Sequence, residues 1–483
     1  MVVLVGSVGL ATDVGLLWSD RRKMQTATDA AAIAGATALK NGESITSAAD
    51  NVAALNGFGN GAGGATITVA NPPANGEYAG NPDYVEVTIA QPEPTYFLRI
   101  LGYTSVNVST LAVSGSINGP ACIYALDPSA ADAISVTGNI DINASCGIID
   151  DSSSSSALSG TGNGTVTATS IGVAGNYSAS GNIKFTPTPT TKIAPAPDPL
   201  ANVAAPSVPT AAQLGTTSSG SYTVSGNNQT VTVPHAIYTG GISVTGNSAV
   251  VTFSGGNYGN GISIGGNTAQ ATFNPGQYQS GGSGNSITIA GNATTTFNPG
   301  SYTFLGTVKI TGNNSVTLQP GSYFGGLAIT GNATVKFSEG TYVLAGGGLS
   351  VTGNSTLSGS GVTFYNTSAP GYSYGPIDLT GNETANFSAP TSGPLEGILF
   401  FQDRSVSAGS AGSTVTGNSS STFDGVVYFP TTALKYTGNS AGSGYTFLIA
   451  DTITITGNAS MTLGNNYSAL SNGSPIKSSA LYE

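Results

Sequence analysis

Six carboxylates towards the end of the chain, Asp378, Glu383, Glu396, Asp403, Asp424 and Asp451, are the residues whose type best suits chemistry. Glycoside hydrolysis uses two such groups, one protonated and one ionised. Polysaccharide elimination uses a Lys or Arg base beside acidic metal ligands. Against that reading, there is no Asp or Glu between Pro199 and Ser338, where the ionisable candidates reduce to His235, Lys309 and Lys336. His235, the single histidine, follows Pro234 and reads as a corner residue. No Cys or His cluster has metal-ligand spacing, and the Gly-Gly-x-Gly-x-Asp calcium repeat is absent. Solvated surface, or a salt bridge such as Asp403 with Arg404 of a neighbouring strand, explains the acids more simply than catalysis. No catalytic, cofactor-binding or metal residue is therefore expected. A carbohydrate-active enzyme, lyase or hydrolase, remains the alternative reading.

Composition narrows the partners. Only 7% of the 483 residues are charged, 69 are Gly, and the formal charge is −11. The single basic cluster, Arg21 to Lys23, is too small for nucleic acid, which needs clustered Lys and Arg. Cys122 and Cys146 are the only cysteines. A disulfide between them would be worth about 3 kcal/mol and would persist in an oxidising compartment; two buried thiols are the alternative.

The elements that hold these residues are written in a repeat. Gly-Asn pairs end at Asn227, Asn247, Asn267, Asn292, Asn313, Asn332, Asn354, Asn382, Asn418, Asn439 and Asn458, a period near twenty residues with a few insertions. Between them, apolar and polar residues alternate over runs of three to five, which is strand periodicity. Gly312-Asn313 and Pro320-Gly321 punctuate one unit with turns. Hairpins closing an antiparallel sandwich would use similar turns. Recurrence of like residues at like places favours a mainly β fold, a parallel β-helix with about 20-residue coils stacked about 4.8 Å apart. Ile329 then lies over Ile310, Phe337 over Leu318, Tyr342 over Tyr323 and Asn332 over Asn313. The turn asparagines form a structural ladder.

The expected order is an apolar anchor at 1–19 whose start is clipped, a helix and small α+β segment at 20–117, first coils at 118–185, a Pro-rich excursion at 186–220, the main β-helix at 221–470 and a tail at 471–483. The Ala-rich run from Met24 to Leu39 continues the first helix to Asn41-Gly42, and a second short helix reaches about Leu55. The hydrophobic runs "EGILFFQDRS" and "FDGVVYFP" suggest a wider last third that closes the end of the helix.

Gly9-Leu-Ala-Thr-Asp13-Val-Gly15, Arg21-Arg22-Lys23-Met24-Gln25 and Ala27-Thr28-Asp29-Ala30-Ala31-Ala32-Ile33-Ala34-Gly35-Ala36 resemble the N-terminal segment of Flp pilus-assembly TadG-like proteins. The run from Val85 to Phe97, with Leu101-Gly102 and Val106-Asn-Val108, is similar to the part that follows in that family. The resemblance covers about a quarter of the chain. It implies a bacterial inner-membrane anchor with the bulk of the chain outside the cytoplasm, in periplasm or at the surface, although a basic cluster after the span argues for the opposite orientation. It implies membrane and other Tad components as partners. Asp13, an acid within the apolar span, pairs with Arg21, lies at the interface, or contacts a partner in the membrane. The expectation is a non-enzymatic, exported scaffold or adhesin, its Thr, Ser and Asn face with nearby Tyr offering weak glycan binding.

Overall fold

The computed structural model describes the backbone of all residues except 1, 42, 119–120, 211–219, 281–283, 418–420, 439–443, 458–459, 465 and 483. Side chains of 2–8, 40–41, 116–118, 417, 438, 460 and 478–482 are also outside the description. The chain forms two compact units, one of residues 1–119 with 476–483 and one of residues 120–475.

In the first unit, α1 (Val2–Asn41) is one uninterrupted helix, as the Ala-rich sequence after the apolar run dictates. Ser44 caps α2 (Ile45–Leu55) through the N–H of Ser47. The strands β1 (Thr66–Ala70), β2 (Tyr84–Pro94) and β3 (Ser105–Asn118) form an antiparallel sheet, and the C-terminal strand Lys477–Tyr482 adds to β3. Ala27, Ala31, Ala32 and Ala36 of α1 are fully buried against α2 and Val85, Val87 and Ile89 of β2. Their small side chains let the helix lie close to its own sheet. A methyl on Gly35 would already sit 3.0 Å from Val85.

The second unit is a parallel β-solenoid of about 14 turns, with about 22 residues per coil. One coil runs Thr307–Gly312, Ser315–Leu318, Gly321–Tyr323. Val308, Ile310, Val316, Leu318 and Tyr323 are buried, so every second residue faces the core. Stacking is like on like: Ile310 pairs with Ile329 and Leu318 with Phe337. Tyr342 is the exception in detail. Its backbone pairs with Gly321, two residues off register, yet its ring stacks on Tyr323 with centroids 6.0 Å apart.

The order of coils differs from the order in the chain. The strand Thr446–Ala450 pairs with Ala121–Ala125, Ile453–Gly457 with Ile134–Asn139, and Ser460–Leu463 with Asp141–Ala144. The last third therefore does not close the solenoid; the first coils continue it beyond residue 463. Winding begins at Tyr222–Val224, runs to 463, resumes at 121 and ends near Thr190–Thr191. The described part of the Pro-rich segment runs from the first coils back along the coils of Arg404 and Tyr428, as an extended strand without ladder bonds can. Asp151 accepts the Ala196 N–H at 2.7 Å, Tyr428 donates to Asp198 at 2.6 Å, and Arg404 donates to the carbonyls of Leu200 and Val203.

Candidate functional site

Five of the six candidate carboxylates are used separately. Asp378 accepts from the Thr414 N–H at 3.1 Å, Asp424 from Gly444 at 2.9 Å, and Glu396 from Ser471 and Asn472, both at 2.8 Å. Asp403 accepts from Thr367 at 2.7 Å and from the Ser405 N–H. Arg404 is not its partner as expected. The guanidinium instead lies over Phe401 and Tyr428, with Asp198 at 4.0 Å, because the Pro-rich strap supplies both an acid and carbonyls there. Glu383 is fully buried and accepts from Thr416, and burial pushes its carboxyl up. His235 sits exposed at its corner, its Nδ1 against the Gly255 carbonyl. Lys309 and Lys336 project from separate strands. Among the described residues no group of three His, Cys, Asp or Glu is arranged to hold a metal ion.

The asparagines occupy two forms of corner. In the coils of Asn227, Asn247 and Asn267 the next residue takes the left-handed conformation (Asn228, Ser248 and Thr268), and the Oδ1 atoms of Asn227 and Asn247 accept the backbone N–H of the Asn one coil on, at 3.0 and 3.1 Å. From Gly291 the preceding Gly takes positive φ instead. The amides then bond directly, Asn332 to Asn313 at 3.0 Å and Asn354 to Asn332 at 3.2 Å. Gly331 has φ +94°, and a Cβ there would lie 2.9 Å from the nitrogen of Gly312 in the coil below. That double constraint demands Gly in these coils; at Gly246 and Gly266 the close approach acts without positive φ, a Cβ there lying 2.2 Å from the carbonyl oxygen of the Gly one coil earlier. Asn292 is exposed beside an insertion, where buried Asn314 accepts from Ala293 instead; Asn382 is held by its backbone N–H on Gly353. Asn418, Asn439 and Asn458 lie outside the described residues. Asn139, Asn163 and Asn182 of the first coils form a ladder of their own at 2.8 and 2.9 Å.

The tyrosines expected near a glycan-binding face are inside. Tyr258, Tyr278, Tyr302, Tyr323 and Tyr342 are buried and stacked ring on ring. The last four donate to the carbonyl four residues earlier, at 2.7 to 2.9 Å. Period two places these residues inward, and the corner carbonyl satisfies each hydroxyl.

Stacking the first coils on the last creates an acidic seam that the linear order concealed. Asp127 meets Asp451, whose carbonyl accepts the Asp127 N–H at 2.9 Å, and Asp150 and Asp151 lie close to Asp127. Asp150 is fully buried. Its Oδ1 accepts the Ser152 N–H at 3.0 Å, and Oδ2 has no partner among the described residues. Burial pushes its carboxyl up to about 6, against the pull of the Ser152 and Ile134 N–H groups and with smaller repulsion from Asp151 and Asp127. The doublet in "Ile-Ile-Asp-Asp" was the only local signal. Cys122 and Cys146 are disulfide-bonded across adjacent coils near this seam, with Cα atoms 5.7 Å apart.

Asp13 is buried on α1, and its carboxylate is taken up within the chain, though not by Arg21. Its oxygens accept the N–H groups of Tyr96, Phe97 and Leu98 at 3.0, 2.8 and 2.7 Å. Gly9, one turn earlier, lets the Phe97 ring approach so closely that a Cβ would lie 2.5 Å from it. The two separated pieces of sequence thus hold each other: the helix offers a glycine and an acid, and the β2–β3 connection offers three amides and a ring. Among the described residues no helix is long and apolar enough to cross a membrane.

The first unit has the architecture of an N-terminal helix packed on a small antiparallel sheet, and that is where the chain is similar to known families. Residues 1–38 match the family described as Flp pilus-assembly TadE/G-like, and residues 34–113 that described as Tad-like Flp pilus-assembly. No curated protein and no solved structure matches the chain. The chain therefore carries Tad pilus-assembly segments at its N-terminus, joined to a parallel β-solenoid.

Proposed function

We propose that this protein is an exported, membrane-tethered component of the Tad pilus-assembly apparatus, and that its solenoid serves as a scaffold or adhesive surface rather than an active site. The observation that carries the reading is the union of two Flp pilus-assembly segments, one containing the apolar start of α1, with a solenoid in which Asp378, Glu383, Glu396, Asp403 and Asp424 serve separately as acceptors of backbone and hydroxyl groups. The disulfide between Cys122 and Cys146 is consistent with an oxidising compartment. What the coils offer outward is a column of Thr, Ser and Asn, suited to weak multivalent contact with glycan or with other Tad components.

A protease site inserted in the exposed loop at 407–409 tests this reading. Cleavage on intact cells favours adhesion at the surface, and cleavage only in spheroplasts favours a periplasmic scaffold. Protection in both overturns export. Release of product from a polysaccharide panel, lost on Asp403→Asn or Asp424→Asn, would replace the scaffold reading with an enzyme.

A further inference from the structure

The connection between β2 and β3 throws its large side chains outward. Tyr96, Phe97, Ile100, Leu101 and Tyr103 are 64%, 43%, 82%, 71% and 64% exposed within eight residues. A soluble surface does not ordinarily gather so much apolar side chain. The backbone beneath them is nonetheless fixed. Thr95 donates to the Thr104 carbonyl, Ile100 to Phe97, Gly102 to Arg99 and Tyr103 to Leu98, at 3.0 to 3.1 Å. The amides of residues 96 to 98 are bound by Asp13. Apolar side chains outward over satisfied amides is the arrangement that entry into a lipid interface requires, since an unpaired N–H there has no water to turn to.

Two further features identify the occupant. Along α1, Leu10, Val14 and Trp18 form an exposed stripe at four-residue spacing beside the contact with this loop. Trp and Tyr, with apolar rings and polar tips, suit the headgroup boundary. Arg99 lies among the exposed apolar residues, and Arg21 and Arg22 are exposed on the helix. The acids nearby are buried Asp13, whose carboxylate is taken by the loop amides, Asp20, paired with Lys23 at 2.9 Å, and half-buried Glu93. The balance of charge is positive, and long Arg stems reach anionic headgroups from apolar surroundings.

We infer that the 96–103 loop is a second membrane contact, dipping into the headgroup and acyl boundary of an anionic bilayer beside α1. The inference rests on the tether reading and adds to it. Asp13 then acts as the internal clamp that holds the loop at the depth of the helix.

The test uses the full chain diluted from detergent onto vesicles of phosphatidylcholine, with or without phosphatidylglycerol. Trp18, the single tryptophan, serves as the reporter of α1 through quenching by brominated acyl chains. Ile100→Asp with Leu101→Asp changes exposed positions only and is expected to weaken partitioning roughly a hundredfold. Arg99→Gln is expected to reduce the preference for anionic vesicles roughly fivefold. Partitioning of the double variant equal to that of the natural chain, with Trp18 still quenched, overturns the loop contact and leaves the tether standing. Absence of binding by the natural chain to either vesicle overturns both.

Discussion

Replacing Asp150 by Asn should alter how the solenoid's seam depends on pH. The carboxyl is moved from an ordinary value of 3.8 to about 6, chiefly by burial. A shift of that size corresponds to about 3 kcal/mol, at 1.36 kcal/mol per unit. Because the folded state holds the proton more tightly than the unfolded state, its contribution is fully present below pH 3.8 and is lost as pH rises through about 6. Asn carries no titrating proton, so the difference between variant and natural chain should swing by about 2.4 kcal/mol in favour of the variant between pH 4 and pH 7.5. Any constant offset from placing an amide beside Ser152 moves both ends equally and leaves the swing intact. The assay is amide hydrogen exchange in Ala121–Ala125 and Gly147–Asp150, the two paired strands that frame the seam. Comparison at equal pH cancels the intrinsic exchange rate. Protection in the variant relative to the natural chain should rise roughly a hundredfold across the interval. Parallel pH profiles in the two proteins would refute the argument, because they would mean that Asp150 does not ionise within the folded seam.

Three other outcomes are expected. Replacing Cys122 and Cys146 by Ser should lower the stability of the seam by about 3 kcal/mol, read as a lower urea midpoint that reductant no longer changes. Gly331→Ala should destabilise its coil by about 2 kcal/mol or more, since the left-handed backbone and the contact with Gly312 both oppose a methyl; unchanged exchange at Leu327–Gly331 would contradict this. Asp13→Leu should free the N–H groups of residues 96 to 98, raising their exchange at least about tenfold while the core amides of Val85, Val87 and Ile89 stay protected.

The coil was legible in the sequence because everything that defines it is local. Alternation of period two sends Val308, Ile310 and Val316 inward whatever surrounds them, and the Gly-Asn corner answers to a backbone angle and to the absence of a Cβ. The pairing of Ile310 with Ile329 and of Leu318 with Phe337 follows from neighbouring coils of nearly equal length. Asp13 was visible as an anomaly in an apolar run, but its partners lie 83 to 85 residues away and are main-chain amides, which no sequence advertises.

The order of the coils was decided only by the tertiary structure. Ile453-Thr-Ile-Thr-Gly457 fits upon Ile134-Ser-Val-Thr-Gly138 as well as one consecutive coil fits upon the next, so the repeat that specifies stacking cannot specify which strand edges meet. Chain closure breaks that degeneracy. Asn118 pairs with Lys477 in the sheet of the first unit, and Ser145 bonds Leu463 in the solenoid, so the chain enters and leaves the coils at adjoining levels. From that closure come the strap held by Arg404 and Asp198 and the meeting of Asp127 with Asp451, features of a protein whose coils were plain in its sequence and whose winding was not.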